Sequence, residues 1–183
     1  MPETKPTGSS PSPAEGEGVV FKIFIKGPID AVWREITKTD SVQKCFFSMR
    51  LHAPELKPGK PFQMRTKNEK YVGVVGEILE CDPPRRFVTT FRFTHHDDPP
   101  CTIIYELKEV VGGTEFVMTF DNLPAGTATA KSMRQGGTMI ANTLKSVVET
   151  GKPPFGIRVL YAFVFPLAQL FTPKKCRVEN WPM

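Results

Sequence analysis

Between residues 19 and 26 apolar and polar positions alternate: Val19, Phe21, Ile23 and Ile25 share one face and Lys22 and Lys26 the other, with Phe24 out of phase. A period of two marks a half-buried strand. The strand stops at Gly27-Pro28, and the spacing of Ile29, Val32, Trp33 and Ile36 turns helical at once. Proline loses no needed donor in a first helical turn. A second short helical turn is expected after Asp40, capped by its carboxylate, before the chain leaves through Phe46 and Phe47.

Extended segments separated by turn chemistry follow. Lys57-Pro58-Gly59-Lys60 is a turn ahead of Phe62, Met64 and Thr66, and residues 71–81 form a longer strand carrying Gly73 and Gly76. Asp82-Pro83-Pro84 breaks it. From Arg86 to Phe93 the inward face is Phe87, Thr89, Phe91 and Phe93. Ile103, Tyr105 and Leu107 line the next strand, Val111-Gly112-Gly113 turns it back, and Phe116, Met118 and Phe120 complete the set. Beyond Leu123-Pro124-Ala125-Gly126 the period becomes 3.6: Met133, Gly137, Ile140, Leu144 and Val147 lie on one stripe of a long helix. Gly151, with Pro153 and Pro154 behind it, ends that helix.

Residues 1–18 hold Pro, Gly, Ser, Thr and Glu with almost no apolar side chain, too little to offset the entropy of ordering, and are expected to be disordered. The domain is expected over 19–152, followed by an apolar extension over 153–183. The 183 residues suffice to bury a core. The formal charge of +5 is spread along the chain except at Lys174-Lys175-Cys176-Arg177, so no nucleic-acid groove is indicated. Four cysteines without Cys-x-x-Cys spacing, and no apolar targeting segment after Met1, fit a reducing cytosol.

Strand, short helices, a run of antiparallel strands and one long C-terminal helix make an α+β chain that resembles the helix-grip fold of the START-like (SRPBCC) superfamily. The matching words are Gly27-Pro28-Ile29-Asp30-Ala31-Val32-Trp33, Lys57-Pro58-Gly59, the run from Gly76 to Arg86, Gly112-Gly113-Thr114 and the ending from Leu144 to Gly151. In order and spacing they are similar to the branch of the C-terminal domain of the activator of heat-shock protein 90 ATPase. The resemblance implies a curved antiparallel sheet wrapped around the long helix, with two short helices after the first strand and an apolar cavity between sheet and helix.

Two departures from that branch stand out. Its members often carry Gly-Trp in the long helix where this chain has Gly136-Gly137, which costs the helix roughly 1 kcal/mol per glycine relative to alanine. The pair implies either a kink or a close approach of helix to sheet, or a wider pocket mouth. The second departure is residues 155–171, almost entirely apolar and followed by Lys174, Lys175 and Arg177. Three roles compete for it: a helix packed on the domain or on a second copy in a homodimer, a peripheral membrane contact with a basic flank, and a membrane span, for which it is short. As a packing helix it would bury Phe163, Leu167 and Leu170 and be interrupted at Pro166; Trp181 also looks like a packing residue.

The leading function is binding of a small apolar or lipid-like ligand without catalysis, cofactor or metal. The candidate cavity residues are Trp33, Phe62, Met64, Glu77, Phe87, Phe91, Phe93, Tyr105, Phe116, Met118, Phe120, Met133, Gly136, Gly137, Ile140 and Leu144. One alternative is a cyclase- or dehydratase-like enzyme in which Glu77 or Tyr105 moves a proton. It requires Glu77, which shares a strand face with Val75 and Leu79, to point inward rather than to solvent. The other is a co-chaperone-like interaction module, although the N-terminal domain that such activators pair with this one is not recognisable ahead of residue 19. His95-His96-Asp97-Asp98 offers metal-ligand atoms, but neighbours in extended chain point opposite ways and no distant His or Cys pair completes a site.

Overall fold

The computed structural model describes residues 18–183, so the expected disordered tail lies, but for Gly18, outside the described residues. Seven antiparallel strands form one sheet in the order β1-β7-β6-β5-β4-β3-β2. They are β1 (Val19–Ile25), β2 (Arg50–His52), β3 (Pro61–Arg65), β4 (Val72–Asp82), β5 (Arg86–Phe93), β6 (Cys101–Val110) and β7 (Gly113–Asp121). In β1 the alternation holds: Phe21, Ile23 and Ile25 pack on the core, while the out-of-phase Phe24 stands 42% exposed beneath the Lys145 ammonium. The first strand pairs with the last, Val19 against Phe120.

Between β1 and β2 the helix α1 (Ile29–Thr37) starts at Pro28 and buries Ile29, Val32 and Ile36. The expected second helical turn is not formed. Residues 43–49 make a tight turn closed by Gln43 N–H to the Met49 carbonyl at 2.7 Å, and Phe47 and Ser48 take φ of 55° and 53°, left-handed values that a right-handed helix does not admit. Asp40 accepts from Arg34 Nη2 at 2.7 Å rather than capping a helix.

The long helix α2 (Ala128–Thr150) is capped at both ends: Thr127 Oγ1 accepts the Ala130 N–H, Asp98 Oδ2 accepts the Thr129 N–H at 2.9 Å, and Gly151 ends it with φ 75°. It grips the sheet at one side only, packing chiefly on β1 and less on β7. The two glycines in its middle do different work. A Cβ on Gly137 would stand 2.2 Å from the Phe21 ring, so this glycine is what lets helix and strand meet. Gly136 has nothing within 4 Å of where a Cβ would sit.

Beyond Gly151 the extension winds as α3 (Phe155–Val159), a wider π-helical turn (Leu160–Val164) and α4 (Phe165–Leu170). Residue 166 is a proline with no amide to donate, and just ahead of it the Phe165 N–H reaches back to the Leu160 carbonyl. That wide turn shifts the helical phase. Phe163, Leu167 and Leu170, expected to be buried, are 68%, 61% and 78% exposed, and Tyr161 and Phe165 turn toward the domain instead. No helix among the described residues is long and apolar enough to cross a membrane.

The glycine pair sets up a paired expectation. Gly137→Ala should lower stability by about 1–3 kcal/mol, because an overpacked contact forces the Phe21 ring or the helix aside. Gly136→Ala should raise it by about 0.5–1 kcal/mol through lower backbone entropy alone. Urea unfolding midpoints of the two variants would move in opposite directions; movement in the same direction would refute the assignment.

Candidate functional site

Because α2 covers only the β1–β7 side, the concave face of β3, β4 and β5 is left uncovered by it, and a cavity of about 1020 Å³ opens there. Its floor is built by strand alternation: Phe62 and Met64 from β3, Val72 and Val74 from β4, Phe87, Thr89, Phe91 and Phe93 from β5, Ile103 and Tyr105 from β6, and Met118 and Phe120 from β7. The helix side is Met133, Gly136 and Ile140. The rings interlock: Phe91 meets Phe93 edge-on at 4.8 Å and Phe87 stacks on Tyr105 at 6.2 Å. Such pairs add geometry to the area they bury.

Five of the expected residues stand elsewhere. Gly137 is turned to Phe21, and Leu144 and Phe116, both fully buried, belong to the solid core below the cavity. Trp33 backs the wall from outside, meeting Phe87 edge-on at 6.1 Å. Glu77 is exposed on the outer face of the sheet. The phase of β4 decides this: Val72, Val74 and Ile78 are buried, Gly76 leaves room for the Phe62 ring, and Val75, Glu77 and Leu79 alternate outward, with Leu79 44% exposed. A proton-transfer role for Glu77 inside the cavity therefore fails on geometry.

The rest of the wall comes from two segments that periodicity did not mark. One is the 43–49 turn, which contributes Gln43, Phe46, Phe47 and Met49. It is pinned by Glu35 of α1, whose buried carboxylate accepts the Lys44 N–H at 2.8 Å through Oε1 and the Lys38 ammonium through Oε2. The other is the extension, with Arg158, Tyr161, Phe165, Phe171 and Cys176. Tyr161 donates to the Lys44 carbonyl at 3.0 Å and Phe165 lies 5.8 Å from Phe47, so the two segments close on each other over the cavity. The extension is tied back to the sheet as well. Tyr71 bridges Arg177, Gln63 Nε2 donates to the Trp181 carbonyl at 2.6 Å, Lys175 pairs with Asp97, and Arg92 lies 5.3 Å over the Trp181 ring.

The cavity keeps its polar groups neutral. Burial pushes the Tyr105 hydroxyl above the usual phenol range, with Cys45 and Cys101 adding to it, and no hydrogen bond reaches that hydroxyl among the described residues. Burial likewise raises Tyr161 in the wall and, in the core behind it, raises Cys45 and lifts Cys101 to about 11. His95, at the rim, is pushed down by burial and by His96 and Lys175. Of the run singled out for metal-ligand atoms, Asp97 takes Lys175 and Asp98 caps α2. The arrangement is an apolar chamber with neutral hydrogen-bonding groups inside and Lys67 and Arg158 exposed at its rim.

Gln43 leaves both polar atoms of its side chain unmet. It is fully buried, yet neither side-chain Oε1 nor Nε2 has a hydrogen-bond partner among the described residues. An unmet buried polar group costs about 1–3 kcal/mol. As a check on the site's limits, Glu77→Gln should leave stability within about 0.5 kcal/mol of the wild type and leave uptake of an apolar dye unchanged; weakened uptake would bring Glu77 back into the site.

The fold is shared with solved structures of low identity. CalU16 from Micromonospora echinospora superposes with a TM-score of 0.61 at 18% identity, covering 80% of this chain and 83% of its own. DynU16, a protein of the dynemicin biosynthetic locus, gives 0.61 at 22% identity, over 77% of this chain and 49% of its own. The Aha1 dimer from Colwellia psychrerythraea gives 0.59 at 16% identity, over 74% of this chain and 98% of its own. No curated protein matches the chain in sequence. One family model does match, over residues 26–149, from the strand-to-helix corner to the last turn of α2. The chain belongs to that family, the Activator of Hsp90 ATPase homolog 1-like proteins.

Proposed function

We propose that the protein binds a small apolar or lipid-like molecule in the chamber between the concave sheet and α2, and that it does so without catalysis. The observation that carries this is the cavity itself: about 1020 Å³ walled by phenylalanine, methionine and aliphatic side chains. Ligand pockets run to roughly 300–1,000 Å³ with apolar walls and few polar anchors. A cyclase- or dehydratase-like reaction draws less support, since Glu77 lies outside the chamber and the Tyr105 hydroxyl is held far from the neutral range where a general acid or base works best.

Native mass spectrometry of gently purified protein should show a bound molecule, and an apolar fluorescent dye should bind and be displaced by it. Gly136→Phe sends a ring into the open space beside α2 and should weaken dye binding by about tenfold or more, with the fold intact by circular dichroism. A clean unliganded mass together with no dye binding would overturn the proposal.

A second observation supports a peripheral membrane contact. Phe155, Phe163, Leu167, Leu170 and Phe171 are all more than half exposed on the extension that borders the chamber. Residues 153–183 also carry four basic side chains, Arg158, Lys174, Lys175 and Arg177, against one acidic, Glu179. An exposed apolar helix face with a basic flank suits the interface of an anionic bilayer. Intact protein should float with phosphatidylserine vesicles and be released by salt, and Phe163→Glu combined with Leu167→Glu should abolish flotation with the melting temperature unchanged. A second copy on this face would instead appear as a dimer in sedimentation that the same substitutions dissolve.

A further inference from the structure

The unpaired amide of Gln43 says something about what the chamber takes. Its main chain is fully engaged: the N–H donates to the Met49 carbonyl at 2.7 Å and the carbonyl accepts the Phe46 N–H at 3.2 Å. The turn that carries it is held from below by Glu35 through the Lys44 N–H at 2.8 Å, and contains two residues, Phe47 and Ser48, at positive φ. Strained backbone of this kind persists where its surroundings over-determine it, and it gathers at ligand clamps. So Gln43 is placed just behind the wall surface by a rigid turn, and its buried side-chain amide has no partner among the described residues. Buried polar groups in proteins are satisfied as a rule, and an orphaned pair of donor and acceptor at a cavity wall calls for a group from outside the chain.

We propose that Gln43 is the polar anchor of the chamber, accepting through Oε1 and donating through Nε2 to a single uncharged head group of an otherwise apolar ligand. This rests on the ligand-binding role proposed above and narrows it to a chemical class: an alkyl or ring body ending in a hydroxyl, a carboxamide or a protonated carboxylic acid. Each of these both donates and accepts. A carboxylate or an ammonium does not suit this anchor, because the neutral Gln43 amide supplies no counter-charge, the cations Lys67 and Arg158 stand at the exposed rim, and the ions beside the turn are committed. The Glu35 carboxylate is taken by Lys38 and the Lys44 N–H, and the Lys44 ammonium donates to the Gly151 carbonyl at 2.9 Å. Tyr105 adds a second neutral group to the same wall. Phe46, three residues on from Gln43, lies 6.0 Å from its ring, and burial keeps its hydroxyl protonated as a donor.

The test compares ligands of one shape and different hydrogen bonding: 1-decanol, which donates and accepts, and decyl methyl ether and decane, which cannot donate. Each competes against an apolar dye on the intact protein, wild type and Gln43→Leu. The wild type should hold decanol roughly tenfold tighter than the ether, the worth of a desolvated hydrogen bond. Gln43→Leu should bring the two within about twofold while keeping the ether affinity, and should melt at or above the wild type when unliganded, since an apolar side chain relieves the orphaned amide. Equal affinity of the wild type for decanol and ether overturns the anchor while leaving the apolar chamber standing, and is also what a water bridging Gln43 would give. Failure of all three to bind overturns both proposals. The wild-type comparison needs no variant to fold, and Gln43→Met repeats the second arm if the leucine variant is unstable.

Discussion

Everything about this fold follows from how near α2 is allowed to come to β1. At Gly137 the helix backbone rides on the Phe21 ring, which itself packs at 5.3 Å against Phe120 of the neighbouring strand. With any side chain at 137 the Phe21 ring or the helix would have to give way. Seated there, it is committed to one side of the sheet, and a twisted sheet diverges from a straight helix the farther its strands lie from the line of contact. The space under β3, β4 and β5 is the geometric remainder of that choice. Gly136, one residue earlier and turned the other way, widens it rather than closing it.

A remainder of this size has to be finished by something, and two irregular segments do so. The 43–49 turn supplies one flank and the C-terminal extension the other, joined by Tyr161 on the Lys44 carbonyl and by Phe165 beside Phe47. The extension is anchored at its far end, where Cys176 is buried and Trp181 sits between the Arg92 guanidinium and its own hydrogen bond to the Lys175 carbonyl. Its middle, by contrast, turns phenylalanine and leucine outward. The segment is therefore both wall and surface: Tyr161 and Phe165 serve the inside while Phe163 and Leu167 face out.

Regular parts of this architecture were legible in the sequence because a period is a local signal. The faces of β1 and β5 follow from alternation and the stripe on α2 from a 3.6-residue period, and they carry Phe87, Phe91, Phe93, Met133 and Ile140 of the cavity wall. Glu77 could not be phased, since Val74-Val75 and Ile78-Leu79 put apolar residues on both faces of β4, and the inward glycine at 76 left no side chain to break the tie. Gln43 was invisible for a different reason. Its turn uses Phe47 and Ser48 at positive φ, where glycine or asparagine would have announced it. The face of the extension is hidden from the sequence because a π-helical turn shifts phase without changing composition.

The pairing of β1 with β7 has a consequence for how the chain reaches this state. Val19 meets Phe120 and Ile25 meets Thr114, so the earliest strand of this sheet finds its partner only after nearly the whole sheet has been made. Contacts of such sequence separation are slow to form, because the loop between them must be closed before they contribute anything. Until then Phe21, the ring on which α2 will seat, stays uncovered, and the helix that covers it emerges later still. Lys22 within this apolar edge strand and Lys26 just past its end are the kind of charge that keeps such a segment from pairing with the wrong chain during the wait.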